Sequence, residues 1–181
     1  MDWNSAASQV LRFDRLLQIV EAPPPDASLL DVGCGYGALL DTIRERDLAL
    51  HYRGFDLSAE MIAAAEARHA GHGRCVFTTD PVAQRPATYA VASGIFNVKL
   101  QHAEAEWRDY VLSVLCSLDA ASERGFAFNM LSTYCDVDRR RDTLYYADPR
   151  EMFDLCKRRY AARVALLHDY PLYEFTVLVR K

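Results

Sequence analysis

The chain has 181 residues, of which 51% are hydrophobic and 25% are charged. This length and composition predict one globular domain over residues 1–181, with a core large enough to need no metal or disulfide. The formal net charge of −4 gives no overall basic field for a nucleic-acid backbone. A nucleic-acid partner is therefore not expected, and a small-molecule partner is.

Five cysteines are widely spread and form no C-x-x-C pair, so we expect reduced thiols and no metal site. The N-terminal residues lack the basic start and apolar run of a signal peptide, and no stretch of about 18 apolar residues occurs. These features predict a cytoplasmic protein with no membrane partner. They carry no information on the oligomeric state.

Residues 1–22 predict an amphipathic helix, because apolar side chains recur at helical spacing before Pro23-Pro24-Pro25. The core, residues 28–181, begins with a short apolar strand that ends at Val32. The glycine turn, Gly33-Cys34-Gly35-Tyr36-Gly37, follows it. A helix from Ala38 then completes a strand, turn and helix unit.

A second strand, 51–55, ends at Asp56, and Ser58 is suited to cap the helix after it. The third strand, 74–78, and the fourth, 88–93, are separated by a short segment that contains Pro81 and Pro86. The crossover helix usual between parallel strands is therefore expected to be missing or reduced to a turn.

The second half predicts a helix around 107–118, a strand at 125–131 and a polar, tyrosine-rich loop at 132–148. Asp148 and Pro149 mark the start of a further helix that runs to about Arg159. Two β-rich runs, 162–168 and 173–180, have the spacing of an antiparallel hairpin. The whole pattern predicts an α/β three-layer sandwich with a mostly parallel seven-stranded sheet and an antiparallel last strand.

The glycine turn predicts a cofactor site, since glycines permit positive φ and close approach of a ligand to the backbone. A phosphate-binding P-loop is excluded because no Lys-Ser/Thr pair follows Gly37. The dinucleotide pattern G-x-G-x-x-A does fit, so an NAD-dependent oxidoreductase remains an alternative. Asp31, at the end of the first strand, favours an ammonium group there over a pyrophosphate.

The segments DVGCGYG and GFDLSAEMIAAAEAR resemble motifs I and II of the class I S-adenosylmethionine-dependent methyltransferases, a Rossmann-like seven-stranded family. The resemblance extends over roughly residues 29–181, including the closing hairpin. It implies that S-adenosyl-L-methionine is the cofactor. The segment around Asp80 departs from the family pattern through Pro81 and the short connection.

By position, the resemblance implies a role in cofactor binding for each of several residues. Asp31 would lie near the amino group, the glycines would hold the methionine end, and Asp56 would take the ribose hydroxyls. The full set of implied cofactor residues is Asp31, Gly33, Gly35, Gly37, Asp56, Leu57, Asp80, Ser93 and Gly94. In this set, Leu57 and Asp80 would contact the adenine, and Ser93 and Gly94 would lie beneath the reacting methyl group. A helix cap is the alternative role for Asp56.

Acceptor-side candidates follow the fourth strand and lie in the later loops. Asn97, Lys99 and His102 are candidates for catalysis, with a turn residue and two surface residues as the alternative. The loop at 132–148 has the length of a substrate lid, in which Tyr134, Tyr145 and Tyr146 would wall an acceptor. His168 would orient an acceptor from the end of the sixth strand. Packing of the tyrosines and a hairpin corner for His168 are the alternatives.

The expected reaction is in-line transfer of a sulfonium methyl group to a small-molecule acceptor. Such a reaction requires alignment and exclusion of water more than a dedicated base. No amino-methylation signature follows the fourth strand, so a non-catalytic subunit that binds S-adenosylmethionine is a second alternative. Neither the acceptor nor the methylated atom is indicated by the sequence.

Overall fold

The computed structural model describes residues 5–81 and 86–181. Helices and strands alternate along most of the chain, because short β-rich runs are separated by amphipathic segments and turns. The strands are β1 (Ser28–Val32), β2 (His51–Phe55), β3 (Cys75–Thr78), β4 (Ala87–Ala92), β5 (Ser122–Leu131), β6 (Arg163–Leu167) and β7 (Glu174–Arg180). The α-helices are α1 (Ala6–Leu16), α2 (Ala38–Glu45), α3 (Ala59–Arg68), α4 (Glu104–Ala120) and α5 (Pro149–Arg159).

All seven strands form one sheet in the order β3-β2-β1-β4-β5-β7-β6. The pairs β1–β2, β1–β4, β2–β3 and β4–β5 are parallel, whereas β7 pairs antiparallel with both β5 and β6. The last strand is thus inserted between β5 and β6 with reversed direction. The predicted fold class, including its antiparallel last strand, is confirmed.

Local capping signals place the helix starts. The Ser58 side chain accepts a hydrogen bond from the Met61 N–H, and the Asp148 side chain accepts one from the Arg150 N–H. Each bond satisfies a backbone donor that the first helical turn leaves unpaired. These contacts fix α3 and α5 where the sequence predicts them.

Several boundaries differ from the predictions, most clearly those of the first helix and of β5. The first helix ends at Leu16 and continues as a 3₁₀ turn at Leu17–Ile19. Strand β5 begins at Ser122 and not at Gly125, because Ser122 still pairs with Ala87 of β4 beyond a shift in register. The expected short connection between β3 and β4 includes residues 82–85, which lie outside the described residues.

The sheet lies between two layers of helices. One core packs α4 and α5 against one face and includes Leu115, Met152 and Phe128. The other core packs α1, α2 and α3 against the opposite face, with Leu16, Leu39 and Leu178 among its buried residues. Side chains of β5 alternate between these cores, as the two-residue period of a strand requires. Among the described residues, no helix has the length and apolarity that crossing a membrane requires.

Candidate functional site

A crevice of about 310 Å³ opens beside the glycine turn, where β1 and β4 end. Ligands of open α/β sheets bind at this position, outside the carboxyl ends of the strands. The volume is at the lower end of the range of about 300–1,000 Å³ typical of ligand sites. The crevice is lined by Gln9, Arg12, Phe13, Asp31, Gly33, Cys34, Gly35, Tyr36, Ala38, Ser93, Gly94, Asn97 and Val98.

The glycine turn has a backbone that few residues other than glycine adopt. Gly33, Gly35 and Gly37 have φ values of +77°, +53° and +77°. A Cβ on Gly33 would lie 2.1 Å from the Ile95 side chain, whereas a Cβ on Gly35 would meet no heavy atom within 4 Å. Gly33 is therefore required for packing, and Gly35 leaves its backbone open toward a ligand.

Asp31 contributes an acid from β1 to this crevice. It is 3% exposed, and its Oδ2 accepts a 2.6 Å hydrogen bond from the Tyr52 hydroxyl of β2. Burial raises the pKa of Asp31 to about 7, the hydrogen bond from Tyr52 acts to lower it, and the nearby Asp56 raises it. The crevice thus holds a carboxyl whose charge changes near neutral pH.

Asp56 follows β2 and ties the glycine turn to the start of α3. Its Oδ2 accepts a hydrogen bond from the Gly35 N–H at 2.9 Å, and its Oδ1 accepts one from the Ser58 N–H at 2.9 Å. Because Ser58 itself caps α3, Asp56 is not the helix cap. Carboxylate oxygens hold two lone pairs each, so Asp56 can accept further hydrogen bonds from ligand hydroxyls while it orders the turn.

The next two predicted cofactor residues lie at the outer side of this edge. Leu57 is 84% exposed, which leaves an apolar side chain next to Asp56 without packing against the core. Asp80 is exposed and follows β3, and its N–H donates to the Thr78 hydroxyl at 3.0 Å. Neither residue is in the crevice lining, although both follow strands that end at the same edge.

Ser93 and Gly94 line the crevice from the end of β4. The buried Asn129 of β5 fixes both: its Oδ1 accepts the Gly94 N–H at 2.9 Å, and its Nδ2 donates to the Ser93 hydroxyl at 3.2 Å. A single buried amide therefore sets the shape of this wall. The sequence pattern does not single out Asn129, because it lies in the otherwise apolar run 125–131.

Asn97 also lines the crevice and is a buried residue of the turn that follows β4. It is 4% exposed, its Oδ1 accepts the Leu131 N–H at 3.0 Å, and its carbonyl accepts the Tyr145 N–H at 2.9 Å. Asn97 thus ties the loop after β4 to the loop after β5. Lys99 and His102 do not line the crevice. The ammonium of Lys99 donates to the His102 carbonyl at 3.4 Å, on the exposed rim.

The tyrosines predicted as an acceptor wall are split between two environments. Tyr145 is 8% exposed within the core, and Tyr146 accepts a hydrogen bond from the Arg141 N–H at 3.2 Å. Tyr134 is 60% exposed, with its ring 5.8 Å from that of His168. The Tyr145 position supports the packing alternative, while Tyr134 and His168 lie together at an exposed position.

Helix α1 contributes three residues to the crevice, Gln9, Arg12 and Phe13, although the sequence pattern predicts no contact between this helix and the site. Arg12 is one of them, and its Nε donates to both carboxylate oxygens of Glu174 at 2.9 and 2.8 Å. Gln9 is another, and its side chain accepts a hydrogen bond from the Tyr36 hydroxyl at 3.2 Å. Local sequence carries little signal for these contacts, since Arg12 and Glu174 are 162 positions apart.

A second groove, of about 380 Å³, lies between α4 and α5 and away from the strand ends. Its charged side chains pair with each other, as in Arg108–Glu151 and Arg158–Asp154, both at 3.0 Å. Arg159 also lines the groove, so its lining holds three arginines and two acids. Within residues 5–81 and 86–181, no group of three or more His, Cys, Asp or Glu side chains is arranged to hold a metal ion.

Sequence comparison identifies relatives of the chain. A family model described as a methyltransferase domain matches residues 30–112. Rv1506c of Mycobacterium tuberculosis (strain ATCC 25618 / H37Rv), provisionally named a methyltransferase, is 52% identical over 165 residues. That alignment covers 91% of this chain and 99% of Rv1506c.

Solved structures with low sequence identity share the fold. The DhpI–SAM–HEP complex has a TM-score of 0.64 at 14% identity, covering 97% of this chain and 88% of DhpI. Mycolic acid cyclopropane synthase CmaA1, complexed with SAH and CTAB, has a TM-score of 0.60 at 16% identity. That comparison covers 88% of this chain and 64% of CmaA1.

Proposed function

Because this chain belongs to the class I S-adenosylmethionine-dependent methyltransferase family, we propose that it transfers a methyl group from S-adenosyl-L-methionine to a small-molecule acceptor. The observation that carries this proposal is the crevice beside the glycine turn, which the buried acid Asp31 lines. Structures of the same fold that were solved with SAM or SAH support the choice of cofactor.

The crevice fits the amino-acid end of this cofactor in charge. Asp31 lines it with an acidic residue, and Arg12, whose Nε is paired with Glu174, lines it with a basic one. A zwitterionic amino acid carries the complementary ammonium and carboxylate, and charge-assisted hydrogen bonds of this kind are the strong ones. We assign the ammonium to Asp31 and the carboxylate to Arg12, with the open backbone at Gly35 between them.

The remaining cofactor roles follow the strand ends. Asp56 would accept hydrogen bonds from the ribose hydroxyls. The adenine would pack on the exposed side chain of Leu57. Asp80 would accept a hydrogen bond from the adenine amino group. Ser93 and Gly94, held by Asn129, would form the wall beside the reacting centre.

When bound, S-adenosylmethionine supplies an activated methyl group on a sulfonium. The protein then has to align an acceptor and exclude water, which does not require a strong base. Asn97 and Val98 line the crevice after β4 and would face the acceptor. Tyr134 and His168 would contact an acceptor farther out, and the loop at 132–148 would form that wall.

Calorimetric titration with S-adenosylmethionine, S-adenosylhomocysteine and NAD tests the cofactor. We expect the first two to bind and NAD not to bind. Binding of NAD with no response to the other two would overturn the proposal and favour an oxidoreductase.

Replacement of Asp56 tests the ribose contact. Asp56→Ala should weaken binding of S-adenosylhomocysteine about 100-fold, because hydrogen bonds to a charged acceptor are lost. Asp109→Ala, at an exposed position on α4, serves as the control and should leave the affinity unchanged. Equal affinities of the two variants would remove Asp56 from the site.

Catalysis itself is tested with methyl-labelled cofactor and a panel of hydroxyl, amine, thiol and carbon acceptors. Transfer of the label to an acceptor would establish an enzyme. Firm cofactor binding without transfer to any acceptor would favour a subunit that binds the cofactor and supports another protein.

A further inference from the structure

The side chains around Asp31 are arranged so that one residue of the neighbouring strand reaches its carboxylate. Asp31 pairs in register with Gly54 of β2, and Gly54 has no side chain to fill the space beside it. A Cβ on Gly54 would lie 2.7 Å from the Phe77 ring and 2.8 Å from the Cys34 sulfur. The absence of a side chain at Gly54 therefore leaves space beside Asp31 for larger side chains from neighbouring positions.

Tyr52, two residues before Gly54 on the same face of β2, occupies part of this space. It is 1% exposed, and its ring lies 5.6 Å from that of Phe77, measured between centroids. From this fixed position its hydroxyl donates to Asp31 Oδ2 at 2.6 Å. A buried phenol locked by packing has little freedom to point elsewhere.

From this geometry we infer that Tyr52 is a positioning residue for the cofactor site, which favours the ionised form of the Asp31 carboxyl group and holds it in the orientation that receives an ammonium group. The inference rests on the proposed function. It extends that function by assigning the control of one cofactor contact to a residue outside the crevice lining.

The groups around Asp31 explain why a hydrogen bond that favours its ionised form is required. Burial and the Asp56 carboxylate both favour the protonated form of Asp31, and Tyr52 opposes them. Cys34 is the neighbouring thiol, and burial raises its pKa further above the usual range, so it stays uncharged. The β4 side contributes the apolar Val91. Arg12, on α1, is the cationic group that lines the same crevice.

The Tyr52 hydroxyl that donates this hydrogen bond keeps its proton in the same surroundings. Burial, together with the nearby Asp31 charge, raises the pKa of Tyr52 well above that of an ordinary tyrosine. Tyr52 therefore remains a hydrogen-bond donor over the whole range in which Asp31 titrates. A donor that favours the charged acceptor lowers the pKa of that acceptor.

A comparison of Tyr52→Phe with the wild type in two measurements tests this inference. The first follows the carboxyl carbon of Asp31 by NMR in the protein without ligand. Loss of a hydrogen bond to a charged group should move the midpoint of its titration upward by about one to two pH units. An unchanged midpoint would overturn the inference.

The second measurement is the affinity for S-adenosylhomocysteine from pH 6 to pH 9, expressed as the ratio of wild type to variant. The ionisation of the ligand cancels in this ratio. The ratio should be about tenfold or more at pH 6 and should approach one at pH 9, since each pH unit below the pKa removes a factor of ten in the ionised form. A ratio that is constant with pH indicates a purely structural role and overturns the inference.

Tyr89→Phe is the matched control. Tyr89 is 2% exposed on β4, the other neighbour of β1, and its hydroxyl donates to the Glu21 carbonyl at 2.9 Å, away from Asp31. This variant should show the wild-type pH profile in both measurements. Absence of ligand binding to every variant and to the wild type overturns the proposed function, whereas the NMR titration decides the Tyr52–Asp31 coupling by itself.

Discussion

At the scale of single residues, Gly37 of the glycine turn must adopt a left-handed backbone and must also leave room for neighbouring side chains. Gly37 has φ +77°, and its carbonyl oxygen lies 3.0 Å from Nε2 of the buried His69. The His69 ring in turn stacks on Phe77, at 5.5 Å between centroids. The start of α2 is therefore packed against α3 and β3 through a position that has no room for a side chain.

Gly37→Ala should lower the free energy of unfolding by about 2–4 kcal/mol, from left-handed backbone strain and overpacking together. The added Cβ would lie 2.9 Å from both His69 Nε2 and Phe77 Cε1. Gly71→Ala is the control, since its φ is +78° but a Cβ there would meet no heavy atom within 4 Å. It should cost about 1 kcal/mol. Urea unfolding of both variants measures the difference, and equal costs would contradict the packing argument.

At the scale of elements, α1 is held to the sheet by a buried ion pair as well as by apolar packing. The side chains of Arg12 and Glu174 are 12% and 2% exposed. The pair joins α1 to the first residue of β7, while Phe13 and Leu16 pack into the core below. Position and charge at one wall of the crevice thus depend on the docking of this helix.

Glu174→Gln should destabilise the protein by about 3 kcal/mol, because it leaves the largely buried Arg12 guanidinium without its charged partner. Asp169→Asn is the matched control, since Asp169 is 73% exposed and lies 3.8 Å from Arg15 of the same helix. It should cost less than about 1 kcal/mol. Hydrogen exchange of the α1 amides, measured together with urea unfolding, should show faster exchange in Glu174→Gln. Wild-type exchange in that variant would show that apolar packing alone holds α1.

The sequence predicted those elements of the fold and site that depend on local patterns. The glycine turn, Ser58 and the Asp148–Pro149 helix start lie where the spacing of residues indicated. Contacts between distant segments were not predicted, among them Arg12 with Glu174 and Asn97 with Leu131. Such contacts follow from the order and direction of the strands, and a buried polar residue such as Asn129 has no periodic signal of its own.

At the scale of the whole molecule, Asp31 links stability to pH. Its pKa in the folded protein is about 7, above the ordinary value of 3.8. The folded state therefore binds more protons between these values, and stability from this group is complete below about pH 4 and is lost as the pH rises through 7. Ionisation of the buried Asp31 therefore lowers the stability of the folded protein.

Asp31→Asn should remove this dependence. Relative to the wild type, the variant should become more stable as the pH rises from 5 to 8, by at most about 1.4 kcal/mol per pH unit. Urea unfolding at several pH values measures the difference, in which the other titrating groups cancel. A difference that does not change with pH would show that Asp31 does not titrate in this range.

The insertion of β7 between β5 and β6 has a consequence for the time at which the site forms. Arg12 and Glu174 are separated by 162 positions, and contacts that close such long loops form slowly compared with local helices. In refolding from urea, far-ultraviolet circular dichroism should recover before the capacity to bind S-adenosylhomocysteine does. Simultaneous recovery would contradict this order. A partly folded chain would then already contain its glycine turn while it still lacked the wall of the crevice that α1 forms once Glu174 of β7 pairs with Arg12.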